Sequence, residues 1–120
     1  MFISLKFEDD RPFDVVGFGT NAVDFLISVP SYPEFSSKIE LSNYVQAAGG
    51  EVATTMVGLQ RLGLKTAYVG RFGKDDAGRI GSDSLTNEGV DISASEFVEN
   101  ARTQIAFIII DELSGERTVI

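Results

Sequence analysis

The spacing of apolar residues in the first half of the chain limits the choice of folds more than any other feature. Between residues 51 and 62, apolar side chains such as Val52 and Met56 recur every three to four positions, which is the spacing of an amphipathic helix. The segments 13–18 and 66–70, before and after it, are short and rich in β-branched and aromatic residues, as buried strands are. This succession of strand, helix and strand predicts an α/β domain.

A second helix is predicted further along the chain. Asp75 or Asp76 offers a capping carboxylate at its start, and the helix runs to about Asn87, with Gly89 as its stop. No repeat, low-complexity tract or interdomain linker interrupts the sequence. The chain is therefore expected to form one domain.

Alternating apolar and polar residues predict strands outside this α/β unit. They are expected over residues 23–29, 39–45, 96–99, 103–111 and 116–120, the last two joined by a turn at 114–115. Pro30 and Pro33 end the first of these strands, because proline cannot donate to a ladder. We expect an additional antiparallel element built from the strands before the first helix and the final hairpin.

The composition excludes several classes of function. Ten Lys and Arg against eighteen Asp and Glu give a formal net charge of −8, which repels nucleic acid and anionic lipid surfaces. The chain has no Cys and no His, so it offers no disulfide, none of the usual zinc, haem or iron–sulfur ligands, and no histidine general base. A hard cation such as Mg²⁺, held by carboxylates, stays compatible with the sequence.

No segment has the pattern of a membrane anchor or an export signal. The longest apolar run, 105–110, has six residues, whereas a spanning helix needs about 20. Residues 1–10 are partly charged and lack a long apolar block. A cytoplasmic location is therefore predicted.

The first motif is a glycine turn directly after the first strand. Gly17, Gly19 and Ala22 have the G-x-G-x-x-A spacing of a dinucleotide-binding turn, which requires a helix to hold the pyrophosphate. The following residues alternate with period two and reach Pro30, so we expect no helix there. We prefer glycines that ease a tight turn between strands, and keep a nicotinamide-binding domain as an alternative hypothesis.

Two further features have the chemistry of a polyol site. Asp24 lies at the start of an otherwise apolar strand, and a carboxylate there can accept hydrogen bonds from two hydroxyl groups. Gly49 and Gly50 open the first helix, where glycine lets a ligand approach the backbone and the helix terminus offers unpaired amides. The run Gly73-x-Asp75-x-x-Gly78 is interpreted structurally, as a helix cap with glycines that permit close packing.

The order of these pieces resembles the N-terminal part of the ribokinase-like, or PfkB-type, carbohydrate kinase family. The similarity is carried by four blocks and the final hairpin, at residues 15–25, 47–63, 68–85, 88–93 and 103–120. It extends over nearly the whole chain from Phe13 onward. The order and spacing of separate blocks is far more specific than any one block.

The resemblance implies both a fold and an activity. The expected fold is a Rossmann-like α/β core with a small antiparallel β-sheet lid, whose strands fall roughly within 23–45 and 103–120. Residues 1–120 would be the N-terminal portion of one ribokinase-like domain. The implied activity is ATP-dependent phosphoryl transfer to a hydroxyl of a sugar or nucleoside, with Asp24 bonding to substrate hydroxyls and Gly49 and Gly50 lying against the sugar.

The chain departs from the family pattern after the two glycines. The family places an asparagine four positions after the second glycine, where this chain has Thr54, and Glu51 follows Gly50 directly. Thr54 is kept as a substrate-binding candidate, although one hydroxyl cannot supply the two-ended hydrogen bonding of an amide. Glu51 is expected to disfavour an anionic substrate such as a sugar phosphate.

The family's C-terminal signature, with its catalytic Asp and glycine-rich anion hole, has no counterpart in this sequence. Asp24 and Asp111 are not substitutes, because neither lies in a glycine-rich turn from strand to helix, so no catalytic or metal-binding residue is assigned. ATP and Mg²⁺ are expected to bind outside these 120 residues, which are predicted to be inactive alone. A homodimer through the lid is one predicted partnership, and a non-catalytic binding or assembly module is the alternative function.

Overall fold

A computed structural model describes residues 10–120 of the chain. The predicted lack of an export signal concerns residues 1–10 and so lies almost wholly outside the described residues. In chain order the elements are β1 (Val15–Phe18), β2 (Ala22–Val29), β3 (Asn43–Gly49), α1 (Glu51–Arg61), β4 (Thr66–Val69), β5 (Arg71–Gly73), α2 (Asp76–Asn87), β6 (Glu96–Val98), β7 (Ile105–Asp111) and β8 (Arg117–Val119). The α/β class predicted from the sequence is confirmed.

The body of the molecule is formed by α1, α2 and two small parallel sheets. Strand β1 pairs with β4, and β5 pairs with β6, both in parallel. The core between helices and strands consists of Ala53, Met56, Tyr68, Phe72, Leu85 and Val90. Burying each of the large side chains stabilises the fold by about 1.5–3 kcal/mol.

Helix α1 packs directly onto β1, and the two glycines of the first motif make this approach possible. A Cβ on Gly17 would lie 2.7 Å from the Met56 sulfur, and one on Gly19 would lie 2.5 Å from a methyl carbon of Val52. Neither glycine has a positive φ. Close packing therefore requires these glycines, and Gly19 also lies in the short connection between β1 and β2 where the sequence predicted a tight turn. As expected, no helix follows, because β2 begins at Ala22.

The start of α2 is fixed by the predicted cap. The Asp75 carboxylate accepts a hydrogen bond from the Gly78 amide at 2.7 Å. It also accepts from the Thr103 amide at 2.9 Å and the Thr103 hydroxyl at 2.8 Å, which ties α2 to the segment that leads into β7. These three bonds confirm the structural interpretation of the G-x-D-x-x-G run.

The second part of the molecule, beside the body formed by the helices and the two parallel sheets, is a four-stranded sheet with the order β3-β2-β7-β8. Strands β2 and β3, and also β7 and β8, are antiparallel. Strands β2 and β7 are parallel, with Asp24 opposite Ala106, so the expectation of a wholly antiparallel sheet is wrong at its central pair. The physical reason is that both strands leave the body at the same end, where the Val23 amide bonds to the Gln104 carbonyl at 3.0 Å.

The third predicted strand is displaced along the chain. We expected it over 39–45, and it spans Asn43–Gly49 instead. Its partner β2 ends at Val29, and β3 pairs from Asn43 opposite Ser28. The Ser42 amide still bonds to the Ser28 carbonyl at 2.8 Å, but the residues before it extend past the end of β2, so their alternating pattern does not yield a ladder.

The four-stranded sheet projects from the body and lengthens the molecule. The radius of gyration is 18.1 Å, whereas a compact domain of this length has about 14 Å. Several apolar side chains of this sheet are accordingly exposed, such as Tyr44 of β3 at 50% and Val119 of β8 at 59%. Among residues 10–120, no helix is long and apolar enough to cross a membrane.

Candidate functional site

The central residue of the candidate site is Asp24, the third residue of β2. Its neighbours across the sheet are Ala47 on β3 and Ala106 on β7, so the residues that flank its side chain are small. The carboxylate is half-buried and makes no hydrogen bond or ion pair with any residue of the range 10–120. Its oxygens are therefore free to accept hydrogen bonds from a ligand.

The two glycines lie beside Asp24, as the sequence predicted. A Cβ on Gly49 would overlap the Asp24 Oδ2 atom, so only glycine leaves the carboxylate in place. Gly50 has φ 96°, and a Cβ there would lie 2.5 Å from the Asn21 Cα atom. Both positions thus require glycine for reasons of space, and Gly50 also for its backbone conformation.

The N-terminus of α1 opens into the same region. The Thr20 carbonyl accepts a hydrogen bond from the Ala53 amide at 3.3 Å, which joins the β1–β2 turn to the first turn of the helix. The amides of Glu51 and Val52 find no acceptor within the part of the chain that the structure describes. Such unpaired amides bind hydroxyl or anionic oxygens.

Together these groups enclose a cleft, hereafter the Asp24 cleft, of about 330 Å³. It is lined by Thr20, Ala22, Asp24, Gly50, Glu51, Gln104 and Ala106. Two of these residues are acidic and none is basic. The Gln104 side chain adds a neutral amide, which can donate and accept hydrogen bonds.

The structure does not bring Thr54 into the Asp24 cleft. Thr54 lies one turn into α1 and lines a separate cavity between α1 and α2, which also contains Asn21, Ser84 and Leu85. Its role in substrate binding stays a prediction.

A larger cavity of about 710 Å³ adjoins the Asp24 cleft at the carboxyl ends of β1 and β4. The two share Thr20 and Gln104. Ligands of open α/β sheets commonly bind at this edge. Among its lining residues, Arg71 is paired with Glu96 at 3.0 Å, whereas Arg102 makes no ion pair with the described residues. Positive charge is therefore available beside the cleft, though not inside it.

Asp111, the other carboxylate weighed from the sequence, has a structural role. It accepts hydrogen bonds from the amides of Leu113 at 2.8 Å, Ser114 at 3.1 Å and Tyr32 at 3.1 Å. These backbone bonds, that from Ser114 first, lower the pKa of Asp111. The residue thereby holds the β7–β8 turn against the segment after β2.

Sequence reasoning missed Thr20 and Gln104 as cleft residues. Gln104 lines the same cleft as Asp24 because β7 runs parallel to β2, a pairing that the sequence patterns did not indicate. Thr20 directly follows Gly19 of the first glycine motif, and this position was the one signal in the sequence that could have indicated it.

Comparison with known proteins now identifies the family. The family model described as pfkB family carbohydrate kinase matches residues 13–120. The chain belongs to the PfkB family of carbohydrate kinases. The sequence resemblance is thereby confirmed.

Two curated relatives are sugar kinases with different names. A 5-dehydro-2-deoxygluconokinase of Clostridium botulinum is 35% identical over 99 residues, which are 82% of this chain and 28% of that enzyme. Fructokinase-2 of Oryza sativa subsp. japonica is 36% identical over 107 residues, or 89% of this chain and 30% of that enzyme. The chain thus spans less than a third of the length of these relatives.

The fold is shared with ribokinases. The structure of Arabidopsis thaliana ribokinase complexed with ribose and ATP superposes with a TM-score of 0.80 and 23% identity, over 92% of this chain and 36% of that one. This similarity confirms the predicted ribokinase-type fold.

Proposed function

We propose that this chain supplies the sugar-binding part and the lid of an ATP-dependent sugar kinase. The observation that carries the proposal is the half-buried Asp24 carboxylate. It faces a cleft, and no described residue donates a hydrogen bond to it. A sugar brings hydroxyl donors, and a carboxylate can accept from two of them. Membership of the PfkB family supports the same conclusion.

Each wall of the Asp24 cleft has a distinct part in holding the sugar. Asp24 accepts hydrogen bonds from two adjacent hydroxyl groups, while the free amides of Glu51 and Val52 donate to sugar oxygens. Gly50 allows the ring to approach the backbone. Gln104 bonds to a further hydroxyl from the opposite wall. Together these contacts orient one hydroxyl toward the larger cavity.

The phosphoryl donor enters from the side of that larger cavity. Arg102 offers a positive charge there, of the kind that stabilises a transferring phosphoryl group. Within residues 10–120 no group of three or more His, Cys, Asp or Glu side chains converges. The groups that bind ATP and Mg²⁺ in the whole enzyme are proposed to lie outside this chain.

The four-stranded sheet is proposed to act as the lid. It carries Asp24 on β2 and Ala106 on β7, so its movement would bring these residues over the bound sugar. Closure excludes water, which favours transfer to the sugar over hydrolysis of ATP. We also propose that two lids pair in a homodimer, and that the enzyme acts in the cytoplasm.

A neutral sugar fits the cleft better than a sugar acid. Asp24 and Glu51 are both acidic and no basic residue lines the cleft, so an anionic substrate is repelled. Of the two relatives, the fructokinase has a neutral substrate in its name, whereas the 5-dehydro-2-deoxygluconokinase has a sugar acid. We therefore propose a neutral ketose such as fructose, rather than a sugar acid or sugar phosphate.

Titration of the chain with D-fructose and with gluconate tests this proposal. We expect saturable binding of fructose, and weakening of about 10- to 100-fold in Asp24→Ala, because one to two hydrogen bonds to a charged group are lost. Glu51→Gln should raise the affinity for gluconate and leave that for fructose nearly unchanged. Calorimetry measures both. Equal fructose affinity in the wild type and in Asp24→Ala would contradict the site.

The non-catalytic module stays the second candidate, because Thr54 replaces the family's asparagine and the chain covers less than a third of its relatives. Sequencing the reading frame beyond Ile120 distinguishes the two. A glycine-rich turn with a catalytic aspartate supports the enzyme, and a stop codon supports the module. We expect the 120 residues alone to bind sugar without releasing ADP in a coupled assay.

A further inference from the structure

The hydroxyl of Tyr68 joins the core of the body to the β1–β2 turn, residues 19–21. Tyr68 is 0% exposed, and its ring packs against that of Phe72 with a centroid distance of 5.8 Å. The hydroxyl donates a hydrogen bond to the Gly19 carbonyl at 2.6 Å and accepts one from the Asn21 side-chain amide at 2.8 Å. Burial raises the pKa of Tyr68 above its ordinary value of 10.0, so the hydroxyl keeps its proton and stays a donor.

Asn21 extends this contact to a second strand of the body. Its side-chain amide donates a further hydrogen bond to the carbonyl of Arg71, the first residue of β5, at 2.9 Å. Asn21 is 7% exposed, so water has little access to replace these partners. Three side-chain hydrogen bonds therefore hold the β1–β2 turn to β4 and β5, and Tyr68 takes part in two of them.

The β1–β2 turn also forms one side of the Asp24 cleft. Thr20 lines the cleft, and its carbonyl accepts the hydrogen bond from the Ala53 amide in the first turn of α1. A Cβ on Gly50 would lie 2.8 Å from the Thr20 carbonyl oxygen, so the turn packs tightly on the start of α1. Asp24 follows Asn21 by three residues, on β2. The position of the turn therefore determines how Asp24 faces the N-terminus of α1.

The ring and the hydroxyl of Tyr68 have separable roles. The ring packs in the core beside Phe72, and the ring of a phenylalanine would occupy the same space. The hydroxyl makes both of its hydrogen bonds to the β1–β2 turn. A Cβ on Gly70 would overlap this hydroxyl, so glycine there leaves room for it. Removal of the hydroxyl alone therefore tests what its contact with the turn contributes.

We propose that Tyr68 is a positioning residue for the Asp24 cleft. Its hydroxyl, through Gly19 and Asn21, holds the β1–β2 turn in the place where Asp24 and the free amides of α1 face the same ligand. Tyr68 lines neither the cleft nor the larger cavity beside it, so it acts through these two residues without touching the ligand. The inference rests on the proposed function, since it takes this cleft as the one that binds the sugar.

Calorimetric titration of D-fructose into Tyr68→Phe and into Thr66→Val tests the proposal. Thr66 is the matched control, because it lies on the same strand, is 2% exposed and donates its hydroxyl to the Met56 carbonyl at 3.2 Å, away from the turn. Each variant loses one buried hydroxyl, so the melting temperatures should fall by similar amounts. With both variants folded, we expect Tyr68→Phe to weaken fructose binding about 5- to 10-fold and Thr66→Val to bind as the wild type does.

A double-mutant cycle with Asp24→Ala separates positioning from general destabilisation. Because Tyr68 is proposed to position Asp24, the loss of affinity in Asp24→Ala should be about fivefold smaller in the Tyr68→Phe background than in the wild type. Amide hydrogen exchange at Ala53 gives a second readout, which needs no ligand. The bond from this amide to the Thr20 carbonyl should open more often in Tyr68→Phe than in Thr66→Val.

Equal fructose affinity in the wild type and in Tyr68→Phe, the same loss in Thr66→Val, or additive effects in the cycle would each overturn the proposal. Absence of fructose binding in the wild type would instead contradict the proposed function. Exchange at Ala53 then decides the positioning role by itself: faster exchange in Tyr68→Phe alone supports it, and equal exchange overturns it. Should Tyr68→Phe fail to fold, Asn21→Ala removes two of the three bonds, leaves the Tyr68 ring in place and is expected to give the same effects.

Discussion

The carboxylate of Asp75 connects three parts of the chain, and its removal is the most informative perturbation of the fold. One oxygen accepts from the Gly78 amide at 2.7 Å and from the Thr103 hydroxyl at 2.8 Å, while the other accepts from the Thr103 amide at 2.9 Å. Thr103 is 8% exposed, so its amide has little access to water as a replacement acceptor.

The size of the effect of Asp75→Ala follows from these bonds. Loss of an N-cap side chain lowers the free energy of unfolding by about 1 kcal/mol. Leaving the buried Thr103 amide without an acceptor adds about 1–3 kcal/mol. The sum, about 3 kcal/mol, corresponds to a fall in melting temperature of about 10 °C for a chain of this size. Urea unfolding and thermal melting measure the two quantities.

Asp76→Ala is the matched control for Asp75→Ala. Asp76 is the next carboxylate, also in the first turn of α2, but its side chain is 94% exposed and its nearest cation, on Arg79, lies 3.7 Å away. We expect its loss to change the stability by only a small fraction of the effect at Asp75. Equal losses in the two variants would show that general charge at the helix terminus, rather than the specific bonds, is responsible.

The effect of Asp75 should also depend on pH. The backbone bond from Thr103, followed by that from Gly78, lowers the pKa of Asp75 below its ordinary value of 3.8. A carboxyl whose pKa is lowered in the folded state stabilises the fold fully above its unfolded pKa, and this stabilisation is lost as the pH falls through the folded value. The gap in stability between wild type and Asp75→Ala should therefore be constant from pH 7 to about 5 and shrink below 3.8. A gap that persists undiminished in strong acid would refute this account of the bonds.

Two further changes test the packing around the cleft. Gly50→Ala should lower the free energy of unfolding by at least about 2 kcal/mol, because φ is 96° and the new Cβ would lie 2.5 Å from Asn21 Cα. Gly58→Ala, in open space on α1, should instead raise it by about 0.4–1 kcal/mol, and urea unfolding measures both. Tyr68→Phe removes a bond of 2.6 Å to the Gly19 carbonyl and the acceptor for Asn21, so it should cost about 1–2 kcal/mol in thermal melting, and an unchanged melting temperature would contradict the network.

Element types and helix boundaries could be predicted from the sequence because their signals are local. The helix period of residues 51–62 and the capping carboxylate of Asp75 each act within a few positions of the chain. The observed helices, Glu51–Arg61 and Asp76–Asn87, accordingly begin where these signals place them. Local propensity, capping and periodicity agree at these helices, which is why a single sequence is enough to predict where they begin and end.

Strand pairing was harder to predict, because it depends on partners that are distant in the chain. The alternation at 39–45 is a true local pattern, but the ladder forms only where β2 lies alongside, from Asn43 onward. The small residues Ala47 and Ala48, which follow the predicted strand at 39–45, are inside β3. Likewise, nothing local to β2 indicates whether β7 runs parallel to it.

The same distinction applies to the candidate site. Asp24, Gly49 and Gly50 were found because each departs from its local pattern: an acid in an apolar strand, and paired glycines before a helix. Gln104 and Asn21 have no such local mark, since an amide in a polar segment is ordinary. Their roles depend on the register of β2 with β7 and on the fold of the body.

The contrast among the carboxylates of this chain is the strongest argument that Asp24 serves a ligand. Asp75 and Asp111 each accept backbone amides, and their pKa values fall accordingly. Asp24 is half-buried beside Gly49, yet no donor among the described residues reaches it. Asp24 therefore contributes no hydrogen bond that holds the fold together, in contrast to Asp75 and Asp111. In the proposed function, sugar hydroxyls supply the donors that Asp24 lacks, and a bound sugar is therefore expected to stabilise the folded chain.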